Sequence, residues 1–222
     1  MQYNEKENAM NRKETFYEKY IKRALDIICS LAAIIVFCWL YAIIAILVRV
    51  KLGSPIIFKQ PRPGKDEKIF NMYKFRTMTN ETDADGKLLP DEQRLTKFGK
   101  FLRSTSLDEL PEAFCILNGS MSVIGPRPLL VSYLPYYTER EKLRHTVRPG
   151  LSGLAQVSGR NSLAWDDRLA KDVEYVENIS FMMDCKIVLM TVKKVLSRSD
   201  ISVGEEGNLA EIRKAELEEK MH

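Results

Sequence analysis

The sequence predicts an α+β fold: a compact mixed cytosolic domain of short strands and several helices, with one N-terminal re-entrant membrane helix and interfacial amphipathic helices. The first observation is an uncharged block at residues 27–48, about 22 residues long and sufficient to cross a bilayer core. The second is that, beyond residue 51, short β-prone runs alternate with segments of helical periodicity. We expect a polar segment over residues 1–20, a membrane-inserted helix over 21–50, the mixed domain over 51–200 and a charged tail over 201–222.

The composition is that of a folded chain whose chemistry rests on carboxylates. The 222 residues carry 34 Lys and Arg against 30 Asp and Glu, and the net charge of +4 is too small to indicate a nucleic-acid partner. The 45% hydrophobic and 29% charged content excludes a disordered or collagen-like chain. Four scattered Cys without a Cys-x-x-Cys pair argue against a disulfide framework or a zinc site. Because the chain has two His, acid–base or nucleophilic work falls mainly to Asp and Glu.

A mean hydropathy of −0.23 conceals the uncharged block, whose apolar residues cover every helical face. A secretory signal is a poor interpretation, because a long polar stretch precedes the block and no small-residue cleavage site follows it. A buried core helix is the alternative, and apolarity on all faces argues against it. Basic residues flank both ends, so the positive-inside rule predicts that both ends face the cytoplasm. Asp26 follows Lys22 by four residues, a spacing that suits an ion pair at the membrane boundary or an ordinary exposed one.

The mixed domain divides into short elements. Strands are predicted at residues 56–59, 69–75 and 121–124, and a turn-rich stretch (PRPGKDEK) separates the first two. Helices are predicted at 93–102 and 107–117, the second ending at Asn118-Gly119, and a short exposed helix at 138–145. Further helices are expected at 164–178 and 180–197, the latter packing on the core or lying at the membrane interface, with core packing favoured. The tail from residue 204 is expected to be solvated or frayed.

The segment RSTSLDELPE, residues 103–112, is the strongest candidate for chemistry. Pro111 lacks an N–H and suits a first helical turn, which places Asp108 and Glu109 at a helix N-terminus, where anions and phosphate are favoured. Ordinary capping is the alternative, since Ser106 and Glu109 have capping-box spacing. With basic residues nearby, the acidic pair could supply a carboxylate nucleophile and a general base beside a metal-bound phosphate.

Several cations could bind that phosphate. Each alone could be a surface charge, but four of the five lie in strand or Gly/Pro-rich contexts. The five are Lys74, Arg76, Arg127, Arg148 and Arg160. Asp83-Ala84-Asp85 resembles the metal motif of many glycosyltransferases, yet Gly86 follows it in a polar stretch, and a turn is the better interpretation. His145 could contact a phosphate or a base, although a lone His is more often structural.

The motifs taken together resemble a known family. They run in the order KRALD, FKQPRPG, YKFRTM, RSTSLDELPE, MSVIGPRPLL, RHTVRPGLSGLAQVSGRN and ISFMMDCKI, over about residues 20–200. This pattern resembles the bacterial sugar transferase family, in particular the small monotopic phosphoglycosyl transferases of the PglC-like branch, which start glycan assembly for protein N-glycosylation. The family's membrane helix commonly contains a Ser-Pro step, whereas this chain has Cys38-Trp39 at the matching position.

The resemblance implies transfer of a phospho-sugar from a UDP-sugar to polyprenyl (undecaprenyl) phosphate, with release of UMP and use of Mg²⁺. It implies Asp108 as nucleophile and magnesium ligand, with Glu109 assisting by deprotonating the incoming lipid phosphate. The remaining substrate-binding positions implied are Lys74, Arg103, Arg127, His145, Arg148, Gln156, Arg160 and Asp172. The implied location is the bacterial cytoplasmic membrane, with the catalytic domain on the cytoplasmic face, in contact with membrane lipid.

The resemblance favours UDP-N,N′-diacetylbacillosamine or a related UDP-N-acetylhexosamine as donor. The next glycosyltransferase of the pathway is a natural partner. Two alternatives stand beside this interpretation: a polyprenyl-phosphate glycosyltransferase that moves only the sugar and releases UDP, and a non-enzymatic membrane-anchored scaffold.

Overall fold

The computed structural model describes residues 14–159, 164–197 and 208–219, and within them helices and short strands form the predicted α+β mixture. The helices are α1 Arg23–Val36, α2 Cys38–Leu52, α3 Asp91–Arg94, α4 Lys97–Ser104, α5 Glu112–Leu117, α6 Leu154–Ser158, α7 Trp165–Glu177, α8 Phe181–Ser197 and α9 Leu209–Glu219. The strands are β1 Ile57–Pro63, β2 Ile69–Phe75, β3 Ser122–Ile124 and β4 Gly150–Ser152. The predicted division into four segments stays a prediction.

The uncharged block forms two helices with a sharp bend. A π-helical segment, Tyr17–Lys22, continues into α1, and this first arm meets α2 at an angle of 64°. Phe37 lies at the break with φ of −100° and ψ of 12°, beside Cys38-Trp39, so the chain bends without a proline. None of the helices among the described residues has both the length and the apolarity to cross a membrane alone, whereas the bent pair meets those criteria together.

The bent pair is attached to the mixed domain by side chains near its N-terminal end. Asp26 is 3% exposed, and its Oδ1 accepts hydrogen bonds from Ser122 Oγ at 3.0 Å and the Val123 N–H at 2.9 Å. Lys22 Nζ instead pairs with Asp184 of α8 at 2.5 Å. The predicted Lys22–Asp26 ion pair is therefore wrong, because each residue finds a partner across the tertiary structure.

Both small sheets are two-stranded. β1 and β2 pair antiparallel from Ile57↔Phe75 to Pro63↔Ile69, and β3 and β4 pair parallel through Ser122↔Gly150 and Ile124↔Ser152. The predicted strands are confirmed, but β1 extends through the proline-rich stretch that we assigned to the turn. Proline is tolerated there because a two-stranded ribbon leaves an outer edge that needs no N–H donor. At Gly150 an added Cβ would lie 2.1 Å from the Gly125 nitrogen, so only glycine allows the two segments to approach this closely.

Four predicted helical features differ from the structure. The helix expected at 107–117 consists of the 3-10 turn Leu107–Glu109 followed by α5, which begins at Glu112. The helix expected at 93–102 is divided into α3 and α4, because Thr96 caps α4 by accepting the Gly99 N–H at 3.0 Å. The segment 138–145 contains the 3-10 helix Glu141–His145, and it is not exposed, since Arg144 and His145 are buried. The tail expected to be solvated or frayed contains α9, whose Leu209 is fully buried.

The core consists of linked clusters around these elements. Ile124, Val176 and Ile187 join β3, α7 and α8, in agreement with the core packing favoured for α8. The opposite side of α8 is apolar and exposed, as at Met182 and Leu189, which suits the alternative interface role. A second cluster joins Val48 of α2 to Phe75 of β2 and Leu102 of α4, so the bent pair is part of the domain's own core.

Candidate active site

The predicted acidic pair lies in a tight turn between two helices. Asp108 and Glu109 belong to the 3-10 turn Leu107–Glu109, which follows α4 and precedes α5. Ser106 adopts a left-handed backbone conformation with φ of 54°, and its side chain makes no capping hydrogen bond. The Ser106–Glu109 capping box that we weighed as the alternative is therefore wrong. Asp108 is 7% exposed, so its carboxylate is largely withdrawn from water.

Glu109 is held by two cations from different elements. Lys74 Nζ on β2 donates to Glu109 Oε1 over 2.6 Å, and Arg127 Nη2 donates to the same oxygen over 2.8 Å. Burial opposes the ionisation of Glu109, but Arg127 and Lys74 outweigh burial and hold its pKa far below the ordinary value. Glu109 is therefore an ionised carboxylate engaged by two cations at neutral pH.

Asp108 has a different electrostatic environment from its neighbour. Burial raises the pKa of Asp108 to about 6, and the Glu109 carboxylate adds to the rise. Lys74 and Arg103 lower the same pKa through their positive charges. Asp108 is therefore mostly ionised at neutral pH, in a position where cations are close and water is scarce. This combination suits a carboxylate that must approach an anionic phosphate.

Arg103 lies at the exposed edge of the acidic turn. It belongs to the last turn of α4, and its Nε donates to Thr77 Oγ1 over 3.0 Å, which orients the guanidinium beside the end of β2. Together with Lys74 and Arg127, it completes the set of predicted cations that the fold brings to Asp108 and Glu109.

Asp172 and His145 lie behind this cluster. Arg144 Nη2 donates to the Arg127 carbonyl oxygen over 2.6 Å and to Asp172 Oδ2 over 2.8 Å. Asp172 thus supports Arg127 through a buried ion pair with Arg144 and does not line the acidic turn. Burial and the Arg144 charge lower the pKa of His145 to about 3, so that at neutral pH its ring is uncharged.

Three further predicted residues are not brought to the acidic turn: Arg148, Gln156 and Arg76, whose Nη1 donates to the Ser54 carbonyl oxygen over 2.6 Å. Arg148 lies beyond the opposite, C-terminal end of α5, where its Nε donates to the Gly119 carbonyl oxygen over 2.9 Å. Gln156 Nε2, in α6, donates to the Leu151 carbonyl oxygen over 3.0 Å. Arg160 lies outside the described residues. The prediction for Asp83-Ala84-Asp85 is confirmed, since Asp83 Oδ1 accepts the N–H groups of Asp85 and Lys87 in an exposed turn.

Comparison with known proteins identifies the family. Residues 17–198 match the family model described as bacterial sugar transferase, and this stretch includes every residue of the acidic turn and its cations. The chain belongs to the bacterial sugar transferase family.

Curated relatives of this sugar transferase cover most of the chain. An uncharacterised sugar transferase of Bacillus subtilis is 51% identical over 173 residues, covering 78% of this chain and 83% of the relative. The exopolysaccharide production protein of Rhizobium leguminosarum is 38% identical, covering 80% of this chain and 96% of that protein. The UDP-glucose:undecaprenyl-phosphate glucose-1-phosphate transferase of Klebsiella pneumoniae is 41% identical over 78% of this chain, which spans 39% of that longer protein.

Glu112 lies at this candidate site and was not predicted from the sequence. It is 1% exposed, and its Oε1 lies 3.2 Å from Lys74 Nζ. Burial and the nearby Glu109 raise the pKa of Glu112 to about 7. A signal was present in the sequence, because Glu112 lies three and four residues after Glu109 and Asp108 and can share one side of a helical segment with them.

Arg62 is a second such residue, at a cavity beside Arg127. The cavity has a volume of about 190 Å³, and its lining includes Tyr133 and Trp165. Burial and the Arg127 charge lower the pKa of Arg62 to about 10, so its guanidinium is charged at neutral pH. Arg62 lies in the FKQPRPG motif, where two prolines made a turn residue the simpler interpretation.

Proposed function

We propose that this sugar transferase is a phosphoglycosyl transferase that moves a phospho-sugar from a UDP-sugar to undecaprenyl phosphate and releases UMP. The observation that supports this most directly is the contrast within the acidic turn. Glu109 is occupied by Lys74 and Arg127, whereas Asp108 is a buried carboxylate with cations nearby. The name of the Klebsiella relative describes transfer of glucose 1-phosphate to undecaprenyl phosphate, which agrees with a phospho-sugar reaction.

The proposed chemistry has two displacements at the sugar-bearing phosphorus. First, an Asp108 carboxylate oxygen bonds to that phosphorus, the bond to the bridging oxygen of the diphosphate breaks, and UMP leaves with that oxygen. Second, a phosphate oxygen of the polyprenyl phosphate bonds to the same phosphorus, and the bond to Asp108 breaks. The products are a polyprenyl diphospho-sugar and a free Asp108 carboxylate. Cations close to Asp108 offset the repulsion between carboxylate and diphosphate.

Glu109 is proposed to position cations. A carboxylate whose pKa lies far below neutrality is a weak base at pH 7. Glu109 is therefore poorly suited to remove a proton from the lipid phosphate. Its ion pairs with Lys74 and Arg127 instead hold both cations beside Asp108. The donor is proposed to enter on the Arg127 side, where the cavity beside Arg62 adds another positive charge.

Mg²⁺ is the proposed cofactor. Within the described ranges no group of three or more His, Cys, Asp or Glu side chains is arranged around one point. Magnesium is commonly bound by one or two carboxylates together with substrate phosphates, and the residues present fit that arrangement with Asp108 as the protein ligand. Glu109 is the less suitable ligand because two cations already engage it. When bound, the ion supplies positive charge to the diphosphate oxygens.

The proposal for the donor sugar and the pathway is less specific than the one that the sequence suggested. The Rhizobium relative is named for exopolysaccharide production and the Klebsiella relative for glucose 1-phosphate transfer. These names favour a role in starting an undecaprenyl-linked surface polysaccharide. They lend no support to protein N-glycosylation or to a diacetylbacillosamine donor.

We also propose that the bent pair of α1 and α2 is re-entrant, with the catalytic domain on the cytoplasmic face, because basic residues flank both of its ends.

The identity of the released nucleotide tests the reaction. Purified protein is incubated with undecaprenyl phosphate and UDP-glucose, UDP-galactose or a UDP-N-acetylhexosamine in magnesium buffer, and the products are separated by chromatography. Release of UMP is expected. Release of UDP would instead favour a glycosyltransferase, and release of neither nucleotide, alongside an active control enzyme, would favour a scaffold.

The nucleophile assignment is tested in the same assay. Asp108→Asn should lower UMP release by about a thousandfold or more and abolish the covalent phospho-sugar adduct seen by mass spectrometry of the intact protein. Asp85→Asn is the matched control, since Asp85 lies in an exposed turn, and it should retain both signals. Wild-type UMP release by Asp108→Asn would overturn the assignment.

A further inference from the structure

An apolar groove lies between the bent helical pair and the β1–β2 hairpin. Its walls include Tyr41, Ala42 and Ala45 of α2, Tyr73 and Phe75 of β2, and Pro111. The groove has a volume of about 590 Å³, within the range of about 300–1,000 Å³ that is usual for ligand sites. We refer to this feature as the apolar groove.

The groove ends close to the acidic turn. Pro111, which lines it, follows Glu109 by two residues, and the Tyr41 hydroxyl donates to the Leu110 carbonyl oxygen over 2.6 Å. One wall is thus bonded directly to the chain segment that carries Asp108. The two faces of β2 divide the site, since Tyr73 and Phe75 line the groove while Lys74 reaches Glu109 on the other face.

The groove also adjoins an exposed apolar surface of α2. Ile46 and Val50 of this helix are 63% and 76% exposed, and such apolar exposure suits contact with acyl chains. Ala42 and Ala45 are three residues apart on α2, and their small side chains leave the groove open. A ligand that enters here from the bilayer would meet an apolar surface first and the cation cluster at the far end.

We propose that the apolar groove binds the isoprenoid chain of the polyprenyl phosphate acceptor, with the phosphate end directed toward the acidic turn. The proposal rests on the proposed function, because it assumes that the acceptor reacts at Asp108. An isoprenoid chain matches the apolar lining, and its phosphate matches the charge of Lys74, Arg103 and Arg127 beyond Pro111. Lys59 adds a cation at the groove itself, with Nζ 5.8 Å from the Tyr73 ring centroid.

Filling the groove is the first test. Ala45→Phe and Ala42→Phe place a ring in the groove, and each should raise the KM for undecaprenyl phosphate about tenfold, because the chain loses buried apolar contact. Ala32→Phe is the matched control, since Ala32 is exposed on α1, and its KM should equal that of the wild type. The UMP released in a single turnover without acceptor is measured in each variant, so that a loss of folded enzyme is distinguished from weaker binding of the acceptor. Equal KM values for Ala45→Phe and Ala32→Phe would overturn the proposal.

Cross-linking is the second test and does not depend on turnover. A polyprenyl phosphate that carries a benzophenone on its chain should label the peptide containing residues 41–45 of the wild-type protein, with undecaprenyl phosphate competing. Vesicles of phosphatidylglycerol should compete poorly. Equal competition by phosphatidylglycerol would mean that the groove accepts any lipid chain, and labelling elsewhere would contradict the site. If the wild type releases no UMP but the labelling is selective, the proposed reaction is overturned while the groove assignment stands.

Discussion

Asp108 and Glu109 are adjacent in the chain, yet their carboxylates carry opposite pKa shifts. The difference arises from their surroundings. Lys74 and Arg127 both donate hydrogen bonds to Glu109, whereas the pKa of Asp108 is set mainly by burial. The sequence predicted both carboxylates and all three nearby cations. It could not assign the pairs, since Lys74 and Arg127 are 35 and 18 residues from Glu109 in sequence. Which cation faces which carboxylate depends on tertiary contacts that local patterns do not encode.

The Arg144–Asp172 pair carries a prediction at the residue scale. The two side chains are 2% and 4% exposed, and Asp172→Asn would leave the Arg144 guanidinium buried without its counter-charge. We expect Asp172→Asn to lower the free energy of unfolding by about 3–5 kcal/mol, as breaking a buried pair by removing one partner generally does. Chemical denaturation monitored by circular dichroism measures this loss.

An exposed ion pair supplies the control for that prediction. Arg140 and Glu177 lie 3.2 Å apart with side chains 73% and 44% exposed. Glu177→Gln should therefore change the free energy of unfolding by about 1 kcal/mol or less. A similar loss in both variants would mean that burial does not distinguish the two pairs.

At the scale of elements, prediction succeeded where periodicity was local and failed where a tertiary contact decided. β2 occupies the predicted range 69–75, and α7 and α8 agree closely with theirs, because each has a regular apolar pattern. The break between α3 and α4 was missed, since both halves share helical spacing and only the Thr96 cap separates them. The site element most affected is the segment Glu141–His145, whose basic residues suggested a solvated face but include the buried Arg144.

The C-terminal helix α9 carries a second prediction. It lies beyond residue 198, where the family match ends, and its Leu209 packs against Leu129, Tyr133 and Leu169. Leu209→Ala should lower the free energy of unfolding of α9 from the domain by about 2–5 kcal/mol. It should also speed amide hydrogen exchange in residues 209–219. Ile212→Ala is the control on the same helix, because Ile212 is 40% exposed and should cost much less. Equal exchange in both variants would contradict the packing.

At the scale of the whole molecule, the bent pair and the mixed domain share one core. Val48 of α2 packs with Phe75 and Leu102, and Asp26 of α1 bonds the first residues of β3. The apolar block was evident from hydropathy, but its fusion with the domain was not. Hydropathy reports which residues avoid water and does not report which of them meet protein or lipid.

The proposed re-entrant arrangement of the bent pair makes a topological prediction. Cysteines introduced as Glu5→Cys and Lys65→Cys, on either side of the bent pair, should react from the same side of sealed membrane vesicles with a membrane-impermeant thiol reagent. Position 5 lies outside the described residues, and position 65 follows β1. The unmodified protein, with its four native Cys, supplies the background. Labelling from opposite sides would show a spanning arrangement.

The attachment of α5 has a consequence for where the reaction takes place. Arg23 Nη1 and Nη2 donate to the carbonyl oxygens of Ile116 and Leu117 at one end of this short helix, and Tyr41 bonds Leu110 before the other end. The two arms of the bent pair therefore bond the chain at the two ends of α5, directly after the acidic turn. With the pair seated in a leaflet, its depth fixes the height of Asp108 above the acyl chains. In the proposed re-entrant arrangement, this attachment keeps the proposed nucleophile Asp108 at a constant height relative to the lipid head groups, so that the acceptor can react without leaving the bilayer.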